Sequence, residues 1–87
     1  MELEQLRIFL AVADSGGFSE AARRLYISHS TVSRAIASLE EELGCPLVRR
    51  SNHVLGLTRA GELLTEEAGQ LLGAAERAAM RVREAGK

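Results

Sequence analysis

The sequence lacks the features that mark disulfide-bonded, membrane-spanning and exported proteins. It has 87 residues, with one cysteine, one proline and no tryptophan. The single cysteine, Cys45, excludes an internal disulfide and fits a reducing compartment. No apolar run approaches the roughly 20 residues of a bilayer-spanning helix, and no signal peptide is apparent at the N-terminus. We therefore expect a cytoplasmic protein that makes no membrane contact.

Residues that carry catalysis are also scarce. The two histidines, the cysteine and the scattered carboxylates show no metal-ligand spacing. The sequence also offers no pair of nucleophile and base and no glycine-rich phosphate loop. We expect no enzyme activity, no cofactor and no bound metal. The length allows one domain with a thin core.

The charge is nearly balanced overall but unevenly distributed. The formal net charge is −1, which argues against a polybasic mode of binding nucleic acid. Between Ala22 and Ala60, however, six arginines and three glutamates give a local charge of +3, which leaves −4 for the rest. A basic centre flanked by acidic segments fits selective binding of DNA better than indiscriminate binding of phosphates.

Residues 18–36 have the layout of a helix-turn-helix, which places a helix in the major groove of DNA. Ser19 is expected to cap the first helix, and Ser28 the second. The second helix, the recognition helix, should run over about 29–43 and end in a left-handed residue at Gly44.

The predicted recognition helix is apolar on one face only. Its buried stripe repeats at helical spacing and consists of Val32, Ala35, Ile36, Leu39 and Leu43. Ser30 and Arg34 lie on the opposite face, with Ser33 beside them. Arginine can bond bidentately to guanine and hydroxyls can donate or accept, so this face suits base edges. The acids 40–42 come only in the last turn, where the helix is expected to be leaving the groove.

Two further elements flank this unit. A first amphipathic helix is predicted from about Glu2 to Ser15. After the recognition helix, residues 47–57 are expected to form a β-hairpin, or wing, with a cationic tip. A wing tip normally reaches the DNA backbone or the minor groove, which attracts cations. Arg50 and His53 are the wing residues expected to bind there.

Thr58 is expected to cap a long helix with an apolar stripe spaced alternately by three and four residues. The stripe consists of Leu64, Ala68, Leu71, Ala75, Ala78 and Val82. We infer a homodimer through this stripe. The first turns of the long helix, however, are expected to pack on the helix predicted from Glu2 to Ser15. The predicted domains are 1–58, a winged helix-turn-helix, and 59–87, a linker helix for dimerisation.

The motifs of the chain resemble the N-terminal domain of LysR-type transcriptional regulators. The resemblance covers essentially all 87 residues. Its strongest motifs are Gly17-Phe18-Ser19-Glu20-Ala21-Ala22, Val32-Ser33-Arg34, Leu43-Gly44-x-Pro46-Leu47 and Leu57-Thr58-x-Ala60-Gly61. It implies a mainly α, winged helix-turn-helix fold whose long helix pairs antiparallel with that of a second subunit. It also implies sequence-specific binding of double-stranded promoter DNA at an interrupted inverted repeat.

The chain departs from the family pattern at several positions. His29 stands where glutamine is usual and Ser30 where proline is frequent, so the half-site preference should differ. Val48 stands where phenylalanine is common. His53 stands where a wing arginine is frequent, and we expect weaker wing binding near neutral pH, where histidine is mostly uncharged. The family's C-terminal effector domain, which binds a small molecule and drives tetramerisation, is missing, so we expect these residues to be part of a longer regulator.

Ten residues are expected to contact DNA, and several have an alternative role. The set is Ser19, Arg23, Tyr26, His29, Ser30, Thr31, Ser33, Arg34, Arg50 and His53. Tyr26 could instead pack partly in the core, His29 could cap locally, and Arg50 could pair with a glutamate. One of Arg23 and Arg24 is expected in a surface ion pair.

The rival function is a winged-helix adaptor that binds proteins and not DNA. In such an adaptor the long helix would be the working surface. Adaptors of this kind tend to lose the cations of the recognition face and wing. The presence of Arg34, Arg49 and Arg50 therefore disfavours this alternative.

Overall fold

The computed structural model describes residues 1–50 and 55–87. Within these ranges the chain forms four helices and two short antiparallel strands. They are α1 (Leu3–Ser15), α2 (Phe18–Leu25), α3 (His29–Leu43), β1 (Val48–Arg50), β2 (Leu55–Leu57) and α4 (Arg59–Ala85). The predicted order of three helices, a hairpin and a long helix is confirmed.

Local hydrogen bonds explain where α3 and α4 begin. The Ser28 hydroxyl accepts from the backbone N–H of Thr31 at 3.1 Å, and the Thr58 hydroxyl accepts from that of Gly61 at 3.0 Å. Each bond satisfies an N–H group that has no partner within its helix. At the other end of α3, Gly44 has a φ of 73°, the left-handed conformation that glycine adopts without strain. These predicted caps are confirmed.

The predicted cap of α2 was wrong. The helix begins at Phe18, one residue before Ser19, and its N-cap is Gly17, which makes no side-chain cap hydrogen bond. Gly17 is the last residue with extended backbone, so Ser19 already lies in the first helical turn, where its side chain is exposed. The N-cap and the start of α2 thus lie two residues earlier than a cap at Ser19 would place them.

A single hydrophobic core joins the four helices and β1. It is formed by Leu6, Ile8, Phe9, Val12, Ala21, Ala22, Val32, Ala35, Ile36, Leu39, Leu47, Val48, Leu64 and Ala68. The first turns of α4 thus belong to the same packed unit as the helix-turn-helix. The division into domains 1–58 and 59–87 stays a prediction.

The second half of α4 extends away from this core. After Ala68 none of its described residues is fully buried, and the molecule reaches 52 Å in its longest dimension. In residues 1–50 and 55–87, no helix combines the length and apolar character that a membrane span requires.

Candidate nucleic-acid interface

The helix α3 presents one face to the core and the other to solvent. Val32, Ile36 and Leu39 are fully buried, whereas Ser30 and Arg34 are exposed. The buried stripe packs against α1 and α2, which fixes the rotation of α3 about its axis. The predicted outward direction of Ser30 and Arg34 follows from that rotation.

Hydroxyl groups form a network at the N-terminus of α3. The Ser28 hydroxyl is 2.8 Å from that of Thr31 and 3.1 Å from that of Ser30. A guanidinium nitrogen of Arg34 lies 3.5 Å from the Thr31 hydroxyl, one turn away. The network orders the exposed start of the helix. The Thr31 hydroxyl, which contacts both Ser28 and Arg34, helps to position the Arg34 side chain. Ser33 is half-buried at the edge of the same face.

Tyr26 projects from the turn between α2 and α3. It is 95% exposed, so the alternative that it packs partly in the core was wrong. Its φ of 57° makes it the only non-glycine residue with a left-handed backbone in the described part of the chain. Such a conformation costs roughly 1–3 kcal/mol and persists only where the surroundings hold it. The turn thus keeps an exposed phenol beside the recognition helix.

The two arginines of α2 both form surface ion pairs. Arg23 lies 3.4 Å from Glu20 on its own helix, and Arg24 lies 2.6 Å from Asp14 of α1. The shorter pair ties α2 to α1. Both side chains are exposed. Arg23 lies one helical turn before Tyr26, another residue of the predicted DNA-binding set.

At the base of the wing, Arg50 is held between two helices. Its guanidinium carbon lies 5.4 Å from the centroid of the Phe18 ring, within the range of a cation–π interaction. Its nitrogen is 3.9 Å from a carboxylate oxygen of Glu40. Phe18 also lies beside His29, with 5.9 Å between the ring centroids. Phe18 therefore contacts residues of both the recognition helix and the wing. The predicted wing residue His53 lies outside the described residues.

The acid Glu40 has a structural role that the sequence alone does not indicate. Its carboxylate accepts from the backbone N–H of Leu47 at 2.7 Å and from that of Val48 at 3.4 Å. It thus ties α3 to the first strand of the wing. In the sequence Glu40 is one of three consecutive glutamates, and no local feature distinguishes it from the other two. Glu41 and Glu42 are exposed.

We predict that Glu40→Ala lowers the free energy of unfolding by about 1–3 kcal/mol, because the N–H of buried Leu47 loses its partner. Glu40→Gln keeps an acceptor oxygen and should lose less than half as much. Chemical denaturation of the three proteins measures the difference. Equal losses in the two variants would show that the carboxylate does not hold the strand through this hydrogen bond.

Comparison with known proteins identifies the family. A family model described as bacterial regulatory helix-turn-helix protein, lysR family, matches residues 3–62. The chain belongs to the LysR family. Among curated relatives, the LysR-family domain is 39% identical over 87 residues to the regulator TfdT of Cupriavidus pinatubonensis. It is 42% identical over 87 residues to ClcR of Pseudomonas putida. It is 47% identical to IlvY of Escherichia coli over 72 residues, which are 83% of this chain.

Solved structures of LysR-family domains share the fold. The CbnR_DBD–DNA complex has a TM-score of 0.95 at 39% identity and covers 100% of both chains. A complex of BenM_DBD with catB site 1 DNA has a TM-score of 0.91 at 34% identity, over 97% of this chain and 93% of that one. The LysR-family domain spans 38% of TfdT, 30% of ClcR and 24% of IlvY.

The predicted dimer stripe of α4 divides into two parts. Leu64 and Ala68 are 8% and 0% exposed and pack in the core of their own chain, which leaves little of either side chain for a second subunit. Beyond them, Leu71 is 41% and Val82 71% exposed, and Ala78 is exposed too. Ala75 is half-buried. The part of the stripe that is available to a partner thus begins at Leu71.

Proposed function

We propose that this LysR-family domain reads a DNA half-site for a transcriptional regulator by laying α3 in the major groove. The observation that carries the proposal is the exposure of Arg34 and Ser30 opposite the buried stripe of the same helix. An α-helix fits the major groove, where the pattern of donors and acceptors differs for every base pair. Arg34 would bond to a guanine, while Ser30 and Ser33 would contact neighbouring bases or phosphates.

The residues around α3 would hold the DNA backbone. Ser19 and Arg23 lie in α2, which crosses the backbone in a helix-turn-helix, and exposed Tyr26 lies in the turn. His29 at the start of α3 and Arg50 at the base of the wing would bind on either side of Phe18. Contacts to phosphates set affinity and orientation but carry no sequence information, whereas a contact of His29 with a base would also affect the half-site preference.

A homodimer would place two such units on an interrupted inverted repeat. The exposed part of the α4 stripe supports this proposal, because Leu71, Ala78 and Val82 form an apolar line on a helix that extends beyond its own core. Two antiparallel α4 helices would cover this line on both subunits. The relatives are named as transcriptional regulators, and two of the matching structures are complexes with DNA. Both facts support the proposal.

Arg34→Ala should weaken the free energy of binding to the preferred site by about 1–3 kcal/mol and relax the preference at one base position in each half-site. Arg50→Ala should instead weaken binding to all sequences to a similar degree and reduce the salt slope by about one. Fluorescence anisotropy on a panel of single-base variants, at several salt concentrations, separates the two effects. If both variants bind the panel as the parent does, the assignment of α3 to the groove is wrong.

A further inference from the structure

We propose that Phe18 is a positioning residue for DNA binding, which holds the Arg50 guanidinium at the junction of wing and recognition helix. The proposal rests on the proposed function and goes beyond it, because Phe18 itself does not belong to the DNA-facing set. It is the first residue of α2 and is only half-exposed, packed against the core.

The geometry at Phe18 supports this role on two sides. On one side the Arg50 guanidinium lies 5.4 Å from the ring centroid, and on the other the His29 ring lies 5.9 Å away at a tilt of 48°. One rigid ring thus contacts the first residue of α3 and the last residue of β1. The relative positions of His29 and Arg50 decide whether the recognition helix can contact the groove while the wing contacts the DNA backbone.

The Arg50 guanidinium has two neighbours, the Phe18 ring and the Glu40 carboxylate. The nearest distance from Arg50 to the Glu40 carboxylate is 3.9 Å, which is too long for a hydrogen bond. The planar guanidinium, in contrast, stacks well on an aromatic face. The Arg50 side chain remains 61% exposed, which leaves its other face open to a phosphate.

Ordering a free arginine side chain on DNA costs conformational entropy, and holding it in place beforehand reduces that cost. The loss of the ring should therefore weaken DNA binding about two- to fivefold, within the range measured for single side chains. This effect must vanish when Arg50 is absent. A role of Phe18 in folding alone would instead persist without Arg50.

A double-mutant cycle tests the proposal. The affinity for one duplex, chosen by selection from random DNA with the parent, is measured for the parent, Phe18→Leu, Arg50→Ala and the double variant, well below their melting temperatures. We expect Phe18→Leu to weaken binding two- to fivefold in the parent and less than 1.5-fold in the Arg50→Ala background. Phe18→Tyr, which keeps the ring, should bind within twofold of the parent. An equal loss in both backgrounds, or no recovery with tyrosine, overturns the proposal.

A second measurement needs no DNA. In the free protein, the Phe18 ring current should shift the Arg50 side-chain NMR signals, and Phe18→Leu should return them to ordinary values while Phe18→Tyr should not. Unchanged Arg50 signals in Phe18→Leu would overturn the proposal even if the protein binds DNA. Absence of sequence-selective binding by the parent, with the shifts as expected, would instead refute the proposed function.

Discussion

Gly61→Ala should destabilise the domain by about 3 kcal/mol, the upper end of the usual cost of overpacking. Gly61 lies in the first turn of α4, where a methyl group would sit 2.1 Å from the backbone oxygen of Leu47. That oxygen cannot turn aside, because it accepts the N–H of Thr58 at 3.0 Å. For a domain of this size the loss corresponds to a melting temperature about 12–24 °C lower. Calorimetry at a fixed protein concentration measures it.

Gly69→Ala is the matched control for this substitution. Gly69 lies two turns further along α4, and a methyl group there meets no atom within 4 Å. Since alanine favours a helix over glycine by up to about 1 kcal/mol, this variant should be slightly more stable than the parent. The same substitution is thus expected to change stability in opposite directions at two positions of one helix. A normal melting temperature for Gly61→Ala would contradict the close packing of α4 on the backbone of Leu47, the residue before β1.

Leu71→Glu should convert the proposed dimer into a monomer. The side chain begins the exposed part of the α4 stripe, and a carboxylate there would be buried without a partner between two helices. Linking two binding units typically raises the overall affinity by about 10²–10⁴. The variant should therefore bind a full inverted repeat at least about 100-fold more weakly than the parent, with little change on a single half-site.

Gln70→Glu introduces the same charge one residue away, outside the stripe, and should leave the dimer intact. Analytical ultracentrifugation gives the mass of each variant, and anisotropy on full-site and half-site duplexes gives the affinities. If Leu71→Glu sediments as the parent does, subunits do not associate through this stripe.

Most features controlled by neighbouring residues could be predicted from the sequence, and the cap of α2 is the exception. The caps at Ser28 and Thr58 and the left-handed end at Gly44 depend on a few adjacent atoms. The outward direction of Arg34 follows from helical period once the apolar face is known. These local features define the start, the end and the exposed face of the recognition helix. The helix-turn-helix could therefore be predicted from the sequence.

Features that require distant parts of the chain could not be predicted. The carboxylate of Glu40 meets β1 only because α3 and the wing pack together, and nothing local separates it from Glu41. The contact of Phe18 with both His29 and Arg50 joins three elements. For α4, one continuous apolar stripe serves both the core and the exposed face, so its spacing could not show that the core part ends at Ala68.

A selection of bound sequences from random duplex DNA tests directly whether the exposed face of α3 reads a half-site. It is run in parallel on the parent and on Arg34→Ala. For the parent, we expect enrichment of an interrupted inverted repeat with two equivalent half-sites. For Arg34→Ala, we expect the same repeat with information lost at one position in each half. No enrichment by the parent, or identical motifs from both proteins, would show that this face of α3 does not read a half-site through Arg34.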